Sequence, residues 1–291
     1  MTSEPPRIRV LLRAPIHFAA ESGEPVHAPL VLATIGAFHT RLILDTGSDV
    51  HLLTRELVEA AGLTPSAVDQ GTDHSGSSLD SWVVGDVPLT FEEADGPATR
   101  TLHDVVAIPA PEAFTTQGIG GILSPQRLDE TAWAVINEVG DELVLIDAAP
   151  DDLAAWLLDR RPTPDVIAIE RRAGDVRPIV AAAVEPHGPV PVLMNTGGRH
   201  TEFEPGAVPG LEAGDVERIG TGVSGVAVMG AGAGSQVLVL GDRRVAIPHL
   251  MLRAGMADPP AMIGQDVLRG TILAVAPDTS RPILWQVSTL G

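Results

Sequence analysis

A chain of 291 residues, 44% hydrophobic and 20% charged, is long enough for two domains of ordinary size with a substantial core. It contains no cysteine, lysine or tyrosine, and all 19 basic residues are arginine, which excludes disulfides, thiolate chemistry, a P-loop lysine, a Schiff base and a tyrosine acid. A net charge of -19 argues against nucleic acid, whose phosphates need concentrated positive charge, and leaves solubility or attraction of basic peptides as the use of the acidity.

Ordered segments in chain order are short, rich in Val, Leu and Ile, and punctuated by Gly, Pro and Asp, which is the pattern of strands. Residues 1–10 are polar and contain proline, without the basic-then-apolar pattern of a secretory leader, so a cytoplasmic location is expected. No run of about eighteen apolar residues offers a membrane span. Strands are expected at 30–34 and 40–44. A short helix follows at 55–61, with Thr54 as its N-cap and Gly62 just past its end. Further strands are expected at 82–84, 105–108 and 143–146, a second short helix at 153–158, and strands at 190–194, 236–240 and 271–275.

The chain repeats once on a large scale. Leu42-Ile43-Leu44-Asp45-Thr46-Gly47-Ser48 recurs as Val192-Leu193-Met194-Asn195-Thr196-Gly197-Gly198. At nearly the same distance downstream, Gly71-Thr72-Asp73-His74-Ser75-Gly76 is matched by Gly220-Thr221-Gly222-Val223-Ser224-Gly225. A Gly-Asp pair follows in each half, at Gly85-Asp86 and Gly241-Asp242. Each half then offers an apolar pair before a small residue, Ile122-Leu123-Ser124 and Met262-Ile263-Gly264. Four matches in the same order predict two similar lobes, 1–155 and 156–291. Their boundary falls in the proline-rich stretch 148–164.

A strand that ends in Asp-Thr-Gly has a chemical logic. The aspartate sits at a sharp turn with its carboxylate outward, and glycine lets the backbone turn and a second loop approach. The threonine hydroxyl can bond into the neighbouring loop, and the following serine can reach the outer carboxylate oxygen. Two such turns face to face bring two carboxyl groups together. They then share one proton, one serving as base on a water and the other as acid on a carbonyl.

With these residues in view, Asp45-Thr46-Gly47-Ser48 and Ile122-Leu123 resemble the active-site lobe of pepsin-like and retropepsin-like aspartic peptidases. Thr196-Gly197 and Met262-Ile263-Gly264 resemble its second lobe. The resemblance runs from about Pro29 to Leu284. It implies a mostly β, two-lobed double β-barrel with a few short helices, and an aspartic endopeptidase activity on a peptide or precursor-protein substrate. It implies catalytic positions at Asp45 and Asn195, turns supported by Thr46, Gly47, Ser48, Thr196, Gly197 and Gly198, and a covering flap with His74, Ser75 and Gly76 at its tip. Flaps of the family usually carry a tyrosine. Here Trp82 either supplies a similar aromatic contact or belongs to the core. The family needs no cofactor or metal, and one chain holding both lobes implies a monomer. A cytoplasmic peptidase of this kind implies a restricted substrate.

Asn195 departs from the pattern, because an amide can neither ionise nor share the proton. Three origins fit: an Asp-to-Asn replacement in an active parent, a natural pseudoprotease that binds peptides without cutting them, or another carboxylate such as Glu202 or Glu204 in the role. Gly198 opposite Ser48, and Ser124 opposite Gly264, read as lineage variation. The run 230–235, Gly-Ala-Gly-Ala-Gly-Ser, lacks the dinucleotide spacing and precedes a strand rather than a helix, so a hairpin is expected there. The nine histidines show no metal-ligand spacing, and no Gly-x-Ser-x-Gly elbow supports a serine hydrolase.

Overall fold

The computed structural model describes residues 7–73, 75–93, 96–160, 165–256 and 258–290. Among these residues strands dominate and form two sheets, one of thirteen strands and one of nine. The expected strands are present, several of them longer than the sequence pattern suggested, such as Pro25–Ile35 around 30–34 and Ser78–Phe91 around 82–84.

One seven-strand block occurs twice. In the first half the order across the sheet is Pro25–Ile35, Phe38–Leu44, Ile119–Leu123, Leu52–Thr54, Ala98–Ile108, Ser78–Phe91 and Ala67–Thr72. In the second half it is Ile179–Val184, Val190–Met194, Ala261–Ile263, Thr201–Phe203, Leu250–Leu252, Ala227–Gly232 and Val216–Thr221. Strand directions agree as well. Phe38–Leu44 runs parallel to Ile119–Leu123, as Val190–Met194 does to Ala261–Ile263. Leu52–Thr54 is antiparallel to Ile119–Leu123, as Thr201–Phe203 is to Ala261–Ile263. The repeat seen in the residues is therefore a repeat of topology.

The halves are also joined. Strands Asp165–Ile169, Ile272–Val275 and Ile283–Val287 extend the thirteen-stranded sheet beside Trp133–Asn137, Glu142–Asp147 and Arg9–Ala19. Helix Pro150–Arg160 packs there, burying Leu153 and Leu157 with Trp133, Ile146 and Leu284. Leu153 and Leu157 are four apart, one above the other on the same helix face. The indole of Trp133 donates to Ala148 O at 3.1 Å, so the ring is buried without losing its hydrogen bond.

Helix Arg55–Ala60 starts at Thr54, whose hydroxyl accepts from Leu57 N at 3.4 Å, and the chain leaves it through Gly62 at φ 73°. Helix Glu112–Gln117 was not legible in the residues: it is six residues long between Pro111 and Gly118 and buries only Phe114.

Two details differ from the sequence reading. Gly85-Asp86 lies inside the long strand Ser78–Phe91, at a break in register, whereas Gly241-Asp242 is the turn between Gln236–Leu240 and Arg243–Ile247. That pair is a coincidence of composition. The run 230–235 is not a hairpin: its first three residues end strand Ala227–Gly232 and the rest lead to Gln236–Leu240, which pairs elsewhere in the sheet.

Candidate active site

The two repeated turns meet at the join between the halves. Each leaves a strand at its buried end and is tied to its neighbour strand by its first residue. Asp45 N donates to Leu123 O and Asn195 N to Ile263 O, both at 2.9 Å. Ser48 N then donates to Asp45 O and Gly198 N to Asn195 O, both at 3.2 Å. The apolar pairs predicted to support the turns do so through these carbonyls.

Thr46 and Thr196 lock the turns to each other. Thr46 Oγ1 donates to Met194 O at 2.6 Å, and Thr196 Oγ1 donates to Leu44 O at 2.7 Å. Each hydroxyl also accepts the other residue's backbone N–H at 3.1 Å. Both threonines are fully buried, so each hydroxyl satisfies groups that water cannot reach.

The glycines make the approach possible. A Cβ on Gly47 would lie 2.7 Å from Asn195 Cγ, and a Cβ on Gly197 would lie 2.4 Å from Asp45 Cγ. The carboxyl of one turn therefore packs on the bare backbone of the other. Asp45 Oδ1 accepts from Gly47 N at 2.7 Å. Asn195 Oδ1 accepts from Gly197 N at 2.9 Å and from Gly198 N at 3.0 Å, which turns its Nδ2 toward Met262 Sδ at 3.6 Å.

Ser48 and Gly198 stand in different local surroundings. A Cβ at 198 would lie 2.8 Å from Met262 Cε, so a serine in the second turn needs the end of that flexible side chain to shift. The Ser48 hydroxyl does not reach the carboxylate as expected. It donates to Val50 O at 2.7 Å and so stiffens the loop after the turn.

Several supports escaped the sequence reading. Gln126 Nε2 donates to Thr46 O at 3.2 Å and to Ser48 O at 2.9 Å. Gln265 Nε2 donates to Thr196 O at 2.9 Å and to Glu138 Oε1 at 2.9 Å. Glu138 lies in the turn between strands Trp133–Asn137 and Glu142–Asp147, and burial raises its carboxyl to about 7 against the opposing pull of Gln265, Arg269 and Gly270 N–H. On the outer side, His27 Nε2 lies 3.1 Å from Gly197 O.

His51 and Thr201 stand at the same place in the repeat. Ser124 N donates to His51 Nδ1 at 3.3 Å, and Gly264 N donates to Thr201 Oγ1 at 3.2 Å. With Nδ1 accepting, His51 presents Nε2–H to Arg127 O at 3.3 Å, and burial lowers its pKa to about 4. The shared offset from Asp45 and Asn195 was the available signal, but the two residue types hid it.

Glu202 and Glu204 are engaged elsewhere. Glu202 forms a buried ion pair with Arg253 at 3.0 Å, and Glu204 accepts from Gly255 N and Met256 N. The residue that faces Asp45 across the join is Asn195. Among the described residues, no three His, Asp or Glu side chains converge as a metal-binding group, and no helix is long and apolar enough to cross a membrane.

The two glycine-rich segments carry matching backbone hydrogen bonds at their hairpin tips. Asp73 N donates to Ser77 O and Gly76 N to Asp73 O. Likewise Gly222 N donates to Val226 O and Gly225 N to Gly222 O. Gly76 and Gly225 both have φ 82°, the left-handed conformation that favours glycine. Ser75 and Gly76 thus sit at the first tip, while His74 lies outside the described residues. Trp82 is well back from that tip, paired with Val68 and Ala107 and covered by the Arg55 guanidinium at 4.7 Å from the ring centroid. No protein-family model matches the sequence, and no curated protein matches it.

Proposed function

We propose that this chain is an aspartic endopeptidase scaffold: two pepsin-like β-barrel lobes, 1–155 and 156–291, with a peptide cleft between them and Asn195 in the place of the second catalytic aspartate. The observation that carries this reading is the reciprocal exchange between Thr46 and Thr196, with the Asp45 carboxyl seated on Gly197 and the Asn195 amide on Gly47. A turn-capping aspartate needs none of this. A pair of groups that must act on one substrate atom does, because its two members have to be held at fixed separation.

The chemistry follows from the ionisable groups. With a carboxyl at both positions, one proton is shared. One member draws a proton from water as that water attacks the peptide carbonyl, and the other protonates the carbonyl oxygen. Asn195 keeps the inner hydrogen bonds through Oδ1 but offers an N–H where the second carboxylate oxygen would be. The chain as given is therefore expected to hold peptides and cut them poorly, and the Asn195→Asp form to cut. The substrate is a restricted peptide or precursor protein, and the working unit is a monomer without cofactor.

A second reading, a natural pseudoprotease, draws on the amide being satisfied on both sides, by Gly197 N and Gly198 N at one end and Met262 Sδ at the other. A mixed peptide library separates the two. New termini found by mass spectrometry with the Asn195→Asp form support the enzyme. Peptide retention without new termini at any pH from acid to neutral supports the binder, and neither retention nor cleavage overturns both.

A further inference from the structure

The two hairpin tips share backbone hydrogen bonds but not their side chains, and the difference is where they touch. Asp73 and Gly222 occupy matching positions in the repeat, as do Ser75 and Ser224. Asp73 Oδ1 accepts from Ser75 N at 2.8 Å, from Ser75 Oγ at 2.5 Å and from Ser77 N at 3.3 Å, which fixes the carboxylate on its own tip. The other oxygen, Oδ2, crosses to the second tip and accepts Ser224 N at 2.8 Å. Ser75 Oγ and Ser224 Oγ are 3.5 Å apart.

Gly222 makes room for this contact. A Cβ there would stand 2.1 Å from Asp73 Oδ2. An aspartate at both matching positions would place two carboxylates against each other, so the contact requires unlike tips. The neighbouring Val223 packs against the apolar cluster of the first half that holds Leu30 and Ile122, with Ile43 and Leu52, next to the strand that delivers Asp45. The second tip therefore reaches across the join and is seated as well as tied.

We propose that Asp73 is a latch, tying the tips of the two hairpins together across the space between the halves, so that peptide entry requires this contact to break. The gating role rests on the reading that this space binds peptides; the latch itself does not. A hydrogen bond to a carboxylate is strong enough that its loss shifts the closed–open balance by about ten- to a hundredfold toward open.

The absence of cysteine gives a clean test. Spin labels on Ser78→Cys and Val226→Cys, both exposed positions, report the separation of the tips. A narrow, short distance is expected with Asp73 present, and a broader, longer one with Asp73→Ala or with Gly222→Val. Distances unchanged in both variants would overturn the latch. Independently, Ser75→Cys with Ser224→Cys is expected to form a disulfide spontaneously. Its oxidised form should retain no peptide from the library, and reduction should restore retention. Failure of that pair to cross-link, or full retention when oxidised, would count against a closed lid. Tips that open in Asp73→Ala with no peptide retained in any state would leave the latch standing and remove the peptide reading.

Discussion

Replacing Thr46 with valine keeps the shape of the side chain and removes only the hydroxyl. That hydroxyl donates to Met194 O and accepts from Thr196 N, inside a residue of zero exposure. Valine leaves a carbonyl and an N–H without these partners where water does not reach. A buried group stripped of its partner costs about 1–3 kcal/mol, so Thr46→Val should lower the unfolding free energy by about 2–6 kcal/mol. Thr196→Val should cost a similar amount, since it strands Leu44 O and Thr46 N in the same way. The double variant should cost less than the two added together, because once one half of the exchange is gone the turns part and water reaches the other half. Equilibrium urea unfolding measures these differences, and Thr46→Ser, which keeps the hydroxyl, should recover most of the loss. A cost below about 0.5 kcal/mol for Thr46→Val, or an equal cost for Thr46→Ser, would refute the claim that the hydroxyl exchange holds the turns together.

The other predictions concern the same turns and their supports. Gly197→Ala places a Cβ 2.4 Å from Asp45 Cγ, so it should force the turns apart and abolish peptide retention while the fold persists by circular dichroism. Burial raises Glu138 from 4.5 to about 7, so below 4.5 its protonated form is accommodated in both states, and stability falls as pH rises from 4.5 through 7. Glu138→Gln should remove that fall, worth about 3 kcal/mol across the window, in unfolding curves recorded at several pH values. His51 has the opposite sign: burial lowers it from 6.5 to about 4, so its contribution is present above 6.5 and is lost as pH falls toward 4. His51→Thr, which copies the residue at the matching position in the second half, should flatten the acid side of the same curves.

What was legible in the residues was what depends on local geometry. A turn that must bring a side chain to a join, with glycine where another backbone presses in, has few solutions, and Asp45-Thr46-Gly47 and Asn195-Thr196-Gly197 share one. The hairpin tips were legible for the same reason, because Gly76 and Gly225 answer a backbone requirement. The supports were not legible, since a backbone carbonyl accepts from any donor that reaches it. His51 and Thr201 do one task with different chemistry. Gln126 and Gln265 lie at different offsets from the strands they follow, and Glu138 arrives from a distant strand connection. The Gly-Asp pairs failed as a repeat because those residue types serve a register break in one half and a turn in the other. The Ser48 hydroxyl is taken up by Val50 O rather than by the carboxylate assigned to it.

We propose that positions 45 and 195 form one catalytic pair from which a single carboxylate is missing. Four forms test it on one peptide pool in water labelled with heavy oxygen: the chain as given, Asn195→Asp, Asp45→Asn, and Asn195→Asp combined with Asp45→Asn. Asn195→Asp alone is expected to generate new C-termini rapidly, each carrying one labelled oxygen, while the other three are slower by orders of magnitude. Labelled termini produced equally well when Asp45→Asn is combined with Asn195→Asp, or no cleavage by Asn195→Asp, would contradict it.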